Sequence, residues 1–157
     1  MRYDDFRAAV YQIRDNRKEI KGSLMRLRLT NRDKFDDLIQ VIDYSRDRVS
    51  SSAGDYTDAV IDAIEKFNRD KERIAQHIKE LPVIDDAIEQ ALWAVNGVRG
   101  ALLIDYFIMG HAMRDIEAAY AYSQPQIYRL IRAGIEDAYE IHEGMQSTKE
   151  QRTVHAV

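Results

Sequence analysis

From residue 6 to residue 27 the side chains Phe6, Val10, Ile13, Arg17, Ile20, Leu24 and Leu27 recur at alternating steps of four and three, and all but one are apolar. That spacing draws one narrow stripe along an α-helix, the pattern of a heptad seam. Val60, Ile64, Phe67, Lys71, Ile74, Ile78 and Leu81 repeat the rhythm, again with a single cation inside it. Two such runs commit much of the first half of the chain to long helices whose stripes need a cover. Each can cover the other in a helical hairpin, or a second copy of the chain can cover both as a coiled-coil arm. A charge at a seam position costs stability and can fix register and partner choice. Its long stem can also carry the head out to water, and Arg17 and Lys71 are open to either description.

The remaining sequence agrees with an all-α fold. Its 157 residues hold only 7 Gly and 2 Pro, too little turn punctuation for a strand-rich sandwich. A second helix is expected from Asn31 or Asp33, burying Phe35, Leu38, Ile39 and Ile42 and ending before the run VSSSAG at 49–54, the best-placed hinge. Asp55 or Thr57 can cap the helix that follows. Leu81-Pro82 must break it, because proline lacks an amide donor and crowds the preceding turn. Ile88, Leu92, Val95 and Leu102 then point to a further helix running toward Met109. The expected organisation is a helical arm and oligomerisation region over 1–97 with a hinge near 49–56, a helix-turn-helix domain over 98–145, and a polar tail over 146–157.

Several chemistries lack their residues. Cysteine is absent, which removes disulfides, thiolate metal sites and cysteine nucleophiles. The N-terminus is charged from its second residue and no stretch approaches ~20 uninterrupted apolar residues, so a cytoplasmic protein with no membrane partner is expected. His77, His111, His142 and His155 show no metal-ligand spacing, and His142-Glu143 reads as a solvated pair at a helix end. The neighbouring acids Asp36-Asp37, Asp85-Asp86 and Glu136-Asp137 point in different directions on a helix. With no phosphate-binding glycine loop or nucleophile elbow either, the expectation is no catalytic residue, no metal and no cofactor. Trp93, Tyr106, Tyr120 and Tyr122 are expected as core or helix-interface anchors.

Residues 101–144, ALLIDYFIMG, HAMRDIEAAYAY and SQPQIYRLIRAGIEDAYEIHEG, parse as helix, glycine turn, short helix, tight turn, longer helix. Gly110 can take the left-handed conformation that stops the first of these. Ser123 is a good N-cap for the last, its hydroxyl accepting from the Gln126 amide while Gln126 reaches back in capping-box fashion, and Pro125 is tolerated in a first turn. At ~100° per residue Ile127, Leu130, Ile131 and Ile135 share one face, while Arg129 and Arg132 point away from it. Such an exposed N-terminal face enters the DNA major groove in helix-turn-helix proteins. Gln124, Gln126 and Arg129 carry the side chains that read base edges there, with Ser123, Tyr128, Arg132 and Arg114 for the DNA backbone. The net charge of −4 and the position of Arg17, Lys18, Lys21, Arg26, Arg28, Arg32 and Lys34 far from this segment run the other way.

Residues 104–131 resemble the helix-turn-helix of sigma-factor region four. Over residues 2–143 the chain, with its long N-terminal helices, serine-glycine hinge and terminal "DYFIMG…DIEAAYAYS…IYRLIRAGI", resembles the phage-encoded late transcriptional regulators of the ArpU and RinA type. The resemblance implies a small activator in the host-cell cytoplasm that binds double-stranded promoter DNA, contacts host RNA polymerase and switches on late or packaging genes. The seams add a homodimer or higher homo-oligomer. Two positions depart from the motif: Glu117 stands where a small residue is usual, and Ala121 where the turn usually has glycine. The alternatives are a small terminase subunit, or an acidic helical protein-interaction module that has lost DNA binding.

Overall fold

The computed structural model describes the backbone of residues 1–46 and 53–155, and the side chains of residues 1–30 and 58–154. The described residues are all-α, without a strand. The elements are α1 (Tyr3–Arg46), α2 (Ala53–Glu80), α3 (Asp86–Ala94), α4 (Gly97–Leu103), a π-helical turn (Ile104–Ile108), α5 (Met113–Tyr120) and α6 (Gln124–His155). Helix α1 is unbroken, so the second helix expected from Asn31 or Asp33 is the continuation of the first. The stretch RLTNRD at 28–33 holds cap-forming residues but neither Gly nor Pro, and polar side chains alone do not stop a helix. The expected burial of Phe35, Leu38, Ile39 and Ile42 falls outside the described side chains, whereas α2 is already helical at Ala53, so neither Asp55 nor Thr57 is its N-cap. Of the expected hinge, residues 49–52 lie outside the described residues and 53–56 belong to α2.

Two compact units divide the chain, one made of Met1–Lys18 with Pro82–Val157, the other of Glu19–Leu81. The first unit therefore adds residues 1–18, 82–97 and 146–157 to the segment expected as a helix-turn-helix domain. Its core gathers Phe6, Val10 and Ile13 from α1, Ile88 and Leu92 from α3, Leu102 and Leu103 from α4, Phe107 from the π turn, Ile116 from α5, and Ile127, Ile131 and Ile135 from α6. Each large side chain fully buried there contributes roughly 1.5–3 kcal/mol. An aromatic clamp fastens α1 to α6: Phe6 lies 5.5 Å from Tyr139 and 5.2 Å from His142, ring centre to ring centre, and Tyr3 lies 5.4 Å from Tyr139.

Local breaks follow the chemistry of the breakers. Helix α2 ends at Glu80, before Pro82, as its amide-less ring requires. Asp85 accepts from the Ala87 amide at 2.9 Å, so one member of the Asp85-Asp86 pair is the N-cap of α3. The helix expected to run on to Met109 is cut, because Val95 is extended and Gly97 takes a φ of 75° that suits only glycine without strain. In the π turn the Met109 amide reaches back five residues to the Ile104 carbonyl at 2.8 Å. Gly110, at φ 68°, ends this stretch in the left-handed conformation its position suggests.

Two expectations are corrected. His142 is not a solvated helix-end residue: α6 runs past it to His155, and the ring is 2% exposed against Phe6. Trp93 is no core anchor, being 56% exposed at the end of α3. The stretch expected as a polar tail is helical as far as His155, as the last turns of α6.

In the second unit α1 and α2 lie antiparallel. Glu19 meets His77 at 3.3 Å, while Arg26 and Leu27 share a groove with Arg73, Ile74 and Asp70. The numbers fall along one helix as they rise along the other. The pairing leaves the seams partly open: Ile20, Leu27, Phe67, Ile74 and Ile78 are half-buried, but Leu24 and Ile64 are each 51% exposed. Neither seam cation is in a dry environment. Lys71 is exposed, and Arg17, in the first unit, reaches Glu89 at 2.9 Å, the snorkelling outcome.

Candidate nucleic-acid interface

Three residues separate α5 from α6, and Ala121 sets their angle. Its φ of 54° and ψ of 33° are left-handed, and its amide donates to the Glu117 carbonyl at 3.0 Å. The alanine keeps the turn that glycine would make, at a cost of about 1 kcal/mol. Glu117 is half-buried. Ile116 on α5 and Ile127 and Ile131 on α6, all buried, turn toward the common core.

At the start of α6 the Ser123 amide and hydroxyl both donate to Gln126 Oε1, at 2.9 and 3.1 Å. Gln126 thus reaches back as the capping-box spacing implies, but the serine hydroxyl gives its proton to the glutamine oxygen rather than accepting from the Gln126 amide. The consequence is chemical. Gln126 keeps its NH2 group for an outside partner and has its carbonyl oxygen engaged.

Ser123, Gln124, Gln126, Tyr128, Arg129 and Arg132 are all exposed and fall within the first turns of α6, and Arg114 is exposed in the first turn of α5. Gln124, Tyr128 and Arg132 follow at intervals of four along one stripe, with Arg129 beside it. Neither Arg114 nor Arg129 makes an ion pair with any described residue. Arg132 is engaged by Glu136 at 3.9 Å, and Arg99 by Asp137 at 2.9 Å. The acids Glu136 and Asp137 thus have local partners of their own.

Behind this face lies a polar knot with two members the sequence did not mark. Arg14, 7% exposed, donates from Nη1 to the Tyr106 carbonyl and from Nη1 and Nη2 to the His111 carbonyl, both at 3.2 Å, with its guanidinium 3.6 Å over the Tyr106 ring. Asp105 accepts from the Tyr120 hydroxyl at 2.5 Å, lies 3.7 Å from His111 Nδ1, and gives its carbonyl to the His111 amide at 2.9 Å. Arg14, beside Ile13 on the stripe, reads as an ordinary solvated charge. Asp105 did leave a signal, as the single charge in ALLIDYFIM. Burial raises the Tyr106 hydroxyl, Arg14 opposes that, and the Tyr128 hydroxyl adds to it.

Burial, then the hydrogen bond to Asp105, then that carboxylate's charge push the Tyr120 hydroxyl up to about 12. The folded state favours the neutral phenol. Its contribution is therefore full below the ordinary value of 10.0 and is lost as pH rises toward about 12. Thermal melts taken across that window should fall with pH, and the Tyr120→Phe variant should show a shallower slope. Equal slopes would remove the bond from the account of how α5 is held.

Among the described residues no helix is long and apolar enough to cross a membrane, and no group of three or more His, Asp or Glu side chains is placed to hold a metal ion. Set against known families, curated proteins and solved structures, the chain matches no family model, no curated protein and no solved structure.

Proposed function

We propose that this protein is a sequence-specific DNA-binding regulator of the phage late-gene kind, without catalysis or cofactor, acting on double-stranded promoter DNA in the cytoplasm of a host cell. The observation that carries this reading is the first two turns of α6: a tight left-handed turn precedes them, their apolar face is buried, and Gln124, Tyr128 and Arg129 stand in solvent. Arg129 is the leading base-reading side chain, because its guanidinium has no carboxylate to leave among the described residues and fits guanine in two hydrogen bonds. Gln124 retains both halves of its amide for adenine. Gln126 is better suited to a single donated bond. Arg114, Arg132 and Ser123 serve phosphates.

A chain of net charge −4 has few cations to spend on phosphate, so a homodimer or higher homo-oligomer strengthens the reading by repeating each contact. The half-exposed seam residues Leu24 and Ile64 support such pairing. Contact with host RNA polymerase and activation of late or packaging genes belong to the same proposal.

The deciding experiment titrates the protein onto late-promoter fragments at several salt concentrations. Affinity should fall steeply with salt, and Arg129→Ala should cost about 1–3 kcal/mol, or roughly five- to 150-fold, with relaxed preference at one base pair. Indifference to DNA at every ionic strength would point instead to the protein-interaction module. A ring-sized mass in solution would favour the terminase alternative.

A further inference from the structure

We infer that the antiparallel pair of the second unit carries a binding groove for phosphate-bearing anions, separate in residues and in chemistry from the face on α6. The groove encloses about 700 Å³, within the range of small-ligand sites. From α1 it takes Arg26, Leu27 and Thr30, and from α2 Lys66, Asp70, Arg73 and Ile74. Spacings of three and four on both helices turn one face of each toward the same space.

The charge of this groove is opposite to that of the chain as a whole. Among the described residues three permanent cations, Arg26, Lys66 and Arg73, line it against one carboxylate, Asp70, in a protein of net charge −4. Asp70 is already engaged by Arg73 at 2.6 Å. His77, at one end, is engaged by Glu19 at 3.3 Å. Among the described residues Arg26 has a neutral partner alone, the Ser23 hydroxyl, which accepts from its Nη2 at 3.2 Å, and Lys66 has no carboxylate partner. Clefts of one sign between low-dielectric walls concentrate the field and raise the local concentration of counter-ions.

Lys66 and Arg73 are seven residues apart on α2, two turns or roughly 10 Å along the axis, with Arg26 facing them from α1. This suits two or more neighbouring phosphates better than a single small ion. Arg26 and Arg73 offer planar forks to phosphate oxygens, and Lys66 a mobile point charge. The apolar side chains of Leu27 and Ile74 among these cations give a base or sugar a surface to rest on. The shared chemistry is the phosphate ester, whether in a free nucleotide or in a nucleic-acid backbone.

Calorimetric titration of the full chain with ATP, and separately with a short DNA duplex of arbitrary sequence, tests this and separates the two sources. The Arg26→Ala, Lys66→Ala double variant should lose about tenfold or more in affinity for the probe that uses the groove. Asp70→Asn, which frees Arg73, should gain roughly threefold. Loss on ATP assigns a nucleotide site, and loss on the duplex alone assigns backbone contact. Arg129→Ala should leave ATP binding unchanged, so this inference and the regulator reading can fail independently. Absence of ATP binding together with unaltered duplex binding in the double variant would overturn the inference, as would equal binding of both probes by all variants.

Discussion

Arg14→Met is expected to lower the stability of the unit formed by Met1–Lys18 and Pro82–Val157 by about 3–5 kcal/mol. The methionine fills much of the space, so the loss is electrostatic. Two carbonyls, those of Tyr106 and His111, give up a charged donor, each such bond being worth about 1.5–3 kcal/mol. The guanidinium's contact with the Tyr106 ring adds up to about 2 kcal/mol when desolvated. Partial rehydration of the freed carbonyls offsets some of this. For a domain of this size the melting temperature should fall by more than ~15 °C, with hydrogen exchange accelerating first around residues 104–111. Arg14→Lys retains the charge but lacks the planar fork that reaches both carbonyls, and should fall between the two. A melting temperature within a few degrees of the parent for Arg14→Met would show that the knot is ornamental.

The second large effect comes from one methyl group. A Cβ at Gly100 would sit 1.8 Å from the Val95 carbonyl oxygen and 2.7 Å from its carbon. Those are backbone atoms, so relief requires moving α4 against the segment before it. Helix propensity alone would make Gly→Ala favourable by about 1 kcal/mol, whereas overpacking against an unyielding wall costs up to about 3 kcal/mol or more. Gly100→Ala should therefore destabilise strongly. Gly134→Ala provides the contrast: there the added carbon meets the Leu103 side chain at 3.1–3.3 Å, and a leucine tip can give by a few tenths of an ångström. Its propensity gain and packing loss nearly cancel, for a net change of about 1 kcal/mol or less. Denaturant melts of the two variants decide the matter, and a Gly100→Ala protein as stable as the parent would mean that α4 shifts freely.

How much of this was legible beforehand depended on whether the cause was local. Pro82, Gly110 and the Ser123–Gln126 spacing act on their own turns, and the sequence announces such features directly. The apolar face of Ile127, Ile131 and Ile135 was equally plain, since buried periodicity is its own signature. Features decided by distant partners were not. The first half of the Phe6-to-Leu27 stripe packs into a different unit from the second half, and nothing in a uniform four-three rhythm marks the change at Lys18. Asn31 and Asp33 resembled helix starts, yet α1 passes through them. Of the candidate site, exposure of Gln124, Tyr128 and Arg129 followed from helical geometry, while the engagement of the Gln126 oxygen depended on which partner the Ser123 hydroxyl chose. Arg14 was hidden because its partners are carbonyls, which every residue has.

The first eighteen residues pack with residues 82–157, and this sets an order of events during synthesis. Arg14 bonds to carbonyls 92 and 97 residues downstream, and Phe6 waits longer still for Tyr139 and His142. At about 10 residues per second on the ribosome, that segment spends roughly ten seconds outside the exit tunnel with Phe6, Val10 and Ile13 unclaimed. Its amphipathic stripe stays uncovered over that interval, and the unit can close only once residues 139–142 have emerged.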